Sequence, residues 1–557
     1  MKLGPAYFKN KKSEFISKFS YEEISEEHLV DGVNMFENTM VWRQNKQLKI
    51  YDRLCDHNGG RLISNQGKTV CPLHGWEFNP KSGSYLNVNC TKEPIYVGEV
   101  ESGELLQVPI ETKKRALENF NRNVDFEIRF LNHACLLFSL GGLKFATDPW
   151  IFGSAFSNGW WLQSPSPSDS IEELNSCDFI YVSHNHPDHL HIETLNKLRK
   201  DIPIVTANFK SGSTKGLLKG LNFKTVKPIN FDEKWVSEEF SVALSLLKSG
   251  DFRDDSGLLI EIGKRTVLLT VDCNFLDFWR FPDKLDVLAS SFAGGSSGFP
   301  LCFETLSELE KGRILTRNRR AIYATNKIIL QKTKPKVFLP YAGSFLERAE
   351  RDRYIAEKNT KNSIQEYDEL CRKLKVKLVD TKKNPVIKFE NDKIRYLPYH
   401  GKFLQEDLPE VIISKDEKLI NFDEKKIIDY LVNSNFQSNL DLVLLATDPT
   451  FKFTQAQFSV EFSQNSTPKV TSGPVYERRK GINFLQLKVR STELAKIVTL
   501  GLPWEDLSIG FQCRIYREPD VYNSEFWHHF TNIYVSENVK RSARECNNCE
   551  VLNQRIY

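Results

Sequence analysis

Six consecutive positions, His184 to His189, hold three histidines and one aspartate in a chain with only 11 histidines among 557 residues. That density constrains the fold more than any other stretch, because it points to a metal and to a backbone able to present several ligands to one point. His184 and His186 are two apart, which is wrong for one face of a helix but suits two imidazoles converging from a loop just past a strand. Asp178-Phe-Ile-Tyr-Val182 reads as that strand. Pro187 removes a backbone donor and stiffens the loop, so Asp188 and His189 are held towards the same point or towards a second metal beside it. The competing reading is a polar surface loop rich in histidine.

A second constellation lies upstream. Cys55-Asp-His57 and Cys71-Pro-Leu-His74 are separated by thirteen residues and each offers one thiolate and one imidazole. Two cysteines on one iron and two histidines on the other is the ligand set of a Rieske [2Fe–2S] centre. A Cys2His2 zinc ribbon has the same ligand types but normally other spacings. The flanking Met40-Val-Trp42, Leu48-Lys-Ile-Tyr51, Ile95-Tyr-Val97 and Leu105-Leu-Gln-Val108 read as short strands broken by Gly59-Gly60 and Ser82-Gly83, an all-β domain over 1–112. Polar residues 113–124 form its exit linker.

Composition limits the partners. Lysine plus arginine (76) nearly balance aspartate plus glutamate (72), for a net charge of +4, so no broad field for nucleic acid or a membrane surface exists. The N-terminus lacks the apolar run of a signal peptide, no stretch is long enough to span a bilayer, and the 11 cysteines form no compact framework. A cytoplasmic chain is expected.

From 125 the chain alternates strands and helices to about 401. Phe126-Glu-Ile-Arg-Phe130 and Lys144-Phe-Ala-Thr147 read as strands around Asn132-His-Ala-Cys135. His133 and Asp148, taken alone, read as turn-capping residues. Thr266-Val-Leu-Leu-Thr-Val271 delivers Asp272 at a strand end, a candidate metal ligand whose plainer reading is a turn aspartate. Ser291 to Pro300 is a glycine-serine loop that suits an anion nest or a plain flexible loop. Arg313 to Arg320 and Glu347 to Arg353 read as solvated helices without chemistry. Residues 402–535 read as an α/β domain lacking a ligand cluster, with His528-His529 in an aromatic cluster, and 536–557 as a polar tail with a lone Cys546-Asn-Asn-Cys549.

His-x-His-x-Asp-His at 184–189, with His133 and Asp148 ahead of it, resembles the metallo-β-lactamase fold. The order of domains, together with Asp148-Pro-Trp150, Gly159-Trp-Trp161, Thr270-Val-Asp-Cys273, Phe292-Ala-Gly-Gly295, Ser297-Gly-Phe-Pro300, Pro340-Tyr-Ala-Gly343, Asn359-Thr-Lys-Asn362, Gly510-Phe-Gln512 and Asp520-Val-Tyr522, resembles the CMP-N-acetylneuraminate hydroxylase family over roughly residues 25–535. The resemblance implies an α+β multidomain chain: an all-β Rieske domain, a central αββα metallo-β-lactamase-like domain and a C-terminal α/β domain. It implies a monooxygenase acting on a nucleotide sugar with oxygen, an iron–sulfur cluster on Cys55, His57, Cys71 and His74, and non-haem iron on some of His184, His186, Asp188, His189 and Asp272. An external donor, a ferredoxin or a b-type cytochrome with its reductase, is then expected. Where the metallo-β-lactamase fold usually supplies a further histidine this chain has Lys248-Ser-Gly-Asp251, which makes Asp251 a candidate ligand. No histidine follows Pro340-Tyr-Ala-Gly343 either. Trp160, Trp161, Gly294, Gly295 and Ser297, with His133, are the candidates for substrate contact. The alternative is a zinc hydrolase or lactonase with a redox-sensing Rieske domain.

Overall fold

The computed structural model describes residues 7–56, 61–65, 67–71, 76–87, 89–118, 120–209, 211–249, 254–273, 276, 281–474 and 476–531. His57, His74, Asp251, Cys546 and Cys549 lie outside the described residues.

The N-terminal part is all β. Gly32–Met35, Thr39–Gln44, Gln47–Asp52 and Tyr96–Glu99 form one four-stranded antiparallel sheet, and Ile63–Asn65, Lys68–Val70, Glu77–Asn79 and Ser84–Tyr85 form another. Alternation divides their side chains between two small cores. Val41, Leu48 and Ile50 pack with Ile24, Val108 and Ile110, whereas Met40 and Tyr51 point to the opposite face and join Cys55, Cys71, Trp76 and Tyr85. A long ribbon, Phe15–Ser25 against Leu105–Arg115, carries this part away from the next. Residues 113–115 therefore continue a strand where polar composition suggested a linker; pairing with Phe15 to Ser17 supplies the hydrogen bonds that composition does not reveal. The N-terminus goes further still, since Lys9–Lys12 pairs with Glu233–Ser237 in the following domain.

That central domain is two eight-stranded sheets face to face. Strand Phe179–Val182 shows why four layers result. Phe179 and Tyr181 face the second sheet and share a core with Phe138, Phe145, Val242 and Ile260; Ile180 and Val182 face outward onto Leu174, Leu195 and Leu218 of three short helices. The other sheet does the same with the helix Glu308–Thr333, whose Ile329 and Leu330 cover Leu268, Leu288 and Phe338. A strand buried on both faces reads as a continuous apolar run, as this one does.

The C-terminal part is a five-stranded sheet, Lys469–Ser472, Thr454–Phe462, Leu440–Thr447, Asn483–Arg490 and Cys513–Glu518, flanked by helices. Its core is continuous with the central domain: Leu444, Leu487, Trp504 and Phe511 belong to the same buried cluster as Trp150, Phe156, Trp160 and Phe345. Glycines allow the backbones to meet. A Cβ on Gly159 would lie 2.0 Å from the Gly510 carbonyl oxygen, and one on Gly298 would lie 2.2 Å from that of Ser508. The helix Glu505–Ile509 is thus seated directly on two loops of the central domain.

Charges reinforce this junction. Arg490 pairs with Asp352 at 2.5 Å and Arg351 with Glu493 at 2.6 Å. Glu347, 5% exposed, holds Lys361 at 2.7 Å. The expectation of a solvated helix over 347–353 is corrected here: Glu347 and Asp352 are buried against Lys361 and Arg490 while Glu350 stays exposed, information that local charge patterning lacks.

Candidate metal centre

Three strand ends converge at one edge of the central sandwich. Strand Phe179–Val182 ends at Ser183 and releases the loop with the histidines; its parallel neighbour Leu143–Thr147 ends at Asp148; the turn between Phe126–Asn132 and Cys135–Leu140 carries His133. His133 and Asp148 adopt φ of 42° and 38°, the left-handed region that costs a side-chain-bearing residue roughly 1–2 kcal/mol. The neighbouring Asn132 holds the turn by accepting from His133 N–H at 3.0 Å and donating to Ser166 Oγ at 2.9 Å. The two residues that read alone as turn caps are buried parts of the site.

Asp188 is the hub. Its Oδ2 lies 3.1 Å from His133 Nε2 and 3.3 Å from His189 Nε2, and the latter is 3.4 Å from Asp272 Oδ2. His189 Nδ1 faces Asp148 Oδ2 at 3.1 Å, and Asp148 Oδ1 accepts from Ser183 N–H at 2.7 Å. Across the loop, His184 Nε2 and His186 Nδ1 are 2.9 Å apart, and the two rings centre 4.6 Å from each other. The structure therefore brings together all five candidates: His184, His186, Asp188, His189 and Asp272.

It also adds residues. His184 Nδ1 lies 3.4 Å from Asp255, which is 3% exposed, and His186 Nε2 lies 3.8 Å from Glu505 of the C-terminal part. Asp255 directly precedes the strand Ser256–Ile262 and sits four positions beyond Asp251. The signal available in sequence was the carboxylate pair Asp254-Asp255 before an apolar strand. Glu505 had none, because its approach depends on the glycine junction.

The residues fit a cation. Oδ1 of Asp188 and Nε2 of His189 are buried without a hydrogen-bond partner among the described residues. Buried polar atoms are nearly always satisfied, and a cation shared by His133, Asp188 and His189, or by His184, His189 and Asp272, satisfies such donors together; the ligand atoms within each trio lie within 4.8 Å of one another. His133 stands close to Asp188 in a site with no histidine on the strand Val337–Tyr341, where Tyr341 OH instead accepts from Val271 N–H at 3.1 Å.

Electrostatics agree. Burial disfavours a charged His186, but the Glu505 carboxylate, with Asp188 and Asp272, outweighs it and lifts the imidazole to about 9. His189 is raised well above its ordinary value against the same burial by Asp188, Asp272 and Asp148. Burial likewise works against an ionised Asp188, yet the His189 and His133 rings hold it well below the usual carboxylate range. This negative potential favours any cation, so metal and protons compete for the same nitrogens, and metal affinity falls as pH is lowered. Asp148 orients His189 from behind. Replacing it with asparagine is expected to weaken metal binding at this site by roughly 10–100-fold, the usual cost of losing such a partner, as read by chelator competition; unchanged affinity would remove Asp148 from this role.

At the N-terminal centre, Cys55 and Cys71 are each 1% exposed and share one cluster with Trp76 and Tyr85. Leu54, just before Cys55, bridges to Arg61, and Cys71 N–H donates to the Trp76 carbonyl at 2.8 Å. Beside Cys55, Lys92 is buried between Asp52 at 3.0 Å and Asp56 at 3.5 Å, and Tyr85 OH donates to Asp56 at 2.9 Å. Two buried thiols in one small core fit the cysteine half of an iron–sulfur ligand set.

A cavity of about 480 Å³ opens from His184 and His186 towards the C-terminal part. Ser296 and Ser297 of the glycine-serine loop line it. Gly294 and Gly295 do not line it; at φ of 74° and 78° they shape the loop, which Asn359 holds by donating to the Gly295 carbonyl at 2.9 Å. Trp160 and Trp161 are packed away from it. Trp160 stacks on Phe345 at 3.6 Å and donates to the Ile509 carbonyl at 3.0 Å, and Trp161 packs on Ala349 and Ile413. Two successive tryptophans on a strand point to opposite sides, and here both sides are packed. His528 lines the cavity, whereas His529 bonds the Ser434 carbonyl at 2.7 Å.

Residues 18–110 match the Rieske [2Fe-2S] domain family, and residues 127–242 match the beta-lactamase superfamily domain. Fold and site thus define a protein in which a Rieske iron–sulfur domain is joined to a metal-binding domain of the metallo-β-lactamase kind. Cytidine monophosphate-N-acetylneuraminic acid hydroxylase of Danio rerio is 30% identical over 548 residues, covering 90% of this chain and 91% of its own, and that of Mus musculus is 29% identical over 547 residues, covering 90% and 93%. The chain belongs to the cytidine monophosphate-N-acetylneuraminic acid hydroxylase family. Among solved structures, CmlA, a diiron beta-hydroxylase from Streptomyces venezuelae, aligns at a TM-score of 0.32 with 17% identity over 52% of this chain and 55% of that one.

Proposed function

We propose that this chain is a monooxygenase that converts the N-acetyl group of a CMP-sialic acid into N-glycolyl. The observation that carries the reading is the junction, in one chain of this family, of a Rieske domain with a buried histidine–carboxylate site at the mouth of a ligand-sized cavity. His184, His186, Asp188, His189 and Asp272, with Asp255 and His133 beside them, would hold non-haem iron, and Cys55, His57, Cys71 and His74 the cluster. Iron with open positions supplies oxygen activation, and the cluster supplies electrons singly. The reaction turns the acetyl C–H into C–OH and reduces the second oxygen atom to water, so it takes up an electron pair from outside. A ferredoxin or a b-type cytochrome with its reductase suits that supply.

The protein's own groups do the remaining work. Asp148 fixes the His189 ring, Phe156 packs its ring 5.6 Å from that of His186, and the cavity walls keep bulk water from the acetyl group. Among the described residues no helix is long and apolar enough to cross a membrane. The test is turnover of CMP-N-acetylneuraminate by the reduced protein under isotopically labelled dioxygen. One labelled oxygen atom in the N-acyl group is expected, with iron present beyond the cluster's own; unlabelled or hydrolysed product, with zinc at the second site, would overturn the reading.

A further inference from the structure

The far wall of the cavity belongs to a region that neither domain match reaches. Arg517 at the end of strand Cys513–Glu518, Tyr522, and Trp527 with His528 on the helix Ser524–Thr531 form it. A loop of the central domain is stitched to that wall: Ile515 N–H donates to the Cys302 carbonyl at 2.7 Å and Glu304 N–H to the Ile515 carbonyl at 2.9 Å. Phe299 and Phe303 of the same loop complete an aromatic enclosure.

Charge is polarised along the cavity. Its metal end carries Asp254, Asp255 and Glu505, whereas Arg517 is the single arginine or lysine among the described lining residues. Arg517 is preset. Its Nε donates to Asp520 at 2.6 Å and its guanidinium lies 4.6 Å from the centre of the Phe303 ring, while among the described residues its Nη groups make no hydrogen bond. A guanidinium held by its Nε and backed by an aromatic face offers its remaining donors to an oxyanion, and phosphate oxygens match that planar fork.

We propose that this wall is the nucleotide subsite, with Arg517 pairing the phosphate and Tyr522 and Trp527 facing the pyrimidine. The assignment rests on the substrate reading above and gives it a direction. In a CMP-sialic acid the acyl group and the phosphate leave the sugar from opposite sides of its ring. With the acyl group at His184 and His186, the phosphate and then the base must point to the far wall. The reverse orientation would press the phosphate against Asp254 and Glu505, like charges that repel it. Flat aromatic faces take a base by stacking, and Tyr522, 54% exposed, has room to do so.

Calorimetry with CMP and with cytidine separates the parts. The wild-type protein is expected to prefer CMP over cytidine; Arg517→Gln should lower CMP affinity about tenfold or more, the worth of hydrogen bonds to a charged group, and leave cytidine affinity unchanged. Arg517→Lys, which keeps the charge and the packed stem, should fall between. Tyr522→Ala should weaken both ligands alike, by roughly fivefold or more. In turnover, Arg517→Gln should raise KM for the sugar nucleotide with kcat largely kept. An Arg517→Gln protein that retains the wild-type preference for CMP and the wild-type KM overturns the subsite while leaving the proposed reaction standing. Wild-type protein that binds CMP in the Arg517-dependent manner but never hydroxylates the sugar nucleotide overturns the reaction and leaves the subsite.

Discussion

Asp188→Ala is expected to strip the second metal from the protein and abolish oxygen-dependent product, with the visible spectrum of the iron–sulfur centre unchanged. Asp188 is 1% exposed and, among the described residues, is the only acid placed within 3.3 Å of both His133 and His189, so no described neighbour can take over its Oδ2. Removing it also lowers the potential that holds His189 protonatable and cation-seeking, because Asp188 is the strongest of the charges favouring the cationic ring. The loss in metal affinity should exceed the roughly 10–100-fold that outer partners such as Asp148 are worth. The cluster survives because its cysteines sit in a separate core with Trp76 and Tyr85. Iron content and product formation, measured on the same preparation, check this. A variant with wild-type iron that still hydroxylates would place the chemistry elsewhere.

What was legible in the sequence was what the chain carries locally. His184 to His189 follow one strand and need only that strand's end to converge, and Cys55 and Cys71 mark two loops whose spacing alone points to a cluster. His133 and Asp148 were half legible: their residue types suit turns, and only the neighbouring strand ends turn them inward to Asp188 and His189. Asp255 was not singled out, since loop length before a strand does not say which carboxylate the strand will aim. Glu505, Arg517 and Tyr522 were out of reach. They come to the cavity because Gly159, Gly298 and Gly510 let two backbones touch, and a glycine's tolerance of close approach is visible only when its neighbour is known. The tryptophans failed in the opposite sense: Trp160 and Trp161 look like ligand-facing aromatics beside a metal loop, and both faces of their strand are core.

The same dependence on distant partners makes the junction the place where stability and function are coupled. Arg490 is 2% exposed and spends its donors on four acceptors: Asp352 at 2.5 Å, Gln512 at 2.7 Å, the Arg351 carbonyl at 2.8 Å and the Pro449 carbonyl at 2.9 Å. Burial depresses the basicity of its guanidinium, and Asp352 works against that burial. Asp352→Ala leaves this cation buried and uncompensated, a change that costs about 3–5 kcal/mol when a buried pair is broken from one side. Replacing both partners with apolar side chains, Asp352→Leu with Arg490→Met, removes the charge together with its partner and should recover most of that loss, as apolar replacements of buried pairs often do. Urea unfolding of the single and double variants reads the difference, and a double variant as unstable as Asp352→Ala would show that packing rather than charge pairing carries the junction. Because Glu505 and Arg517 stand on the C-terminal side of that junction, Asp352→Ala should also lose CMP affinity beyond what unfolding accounts for, and the double variant should regain it.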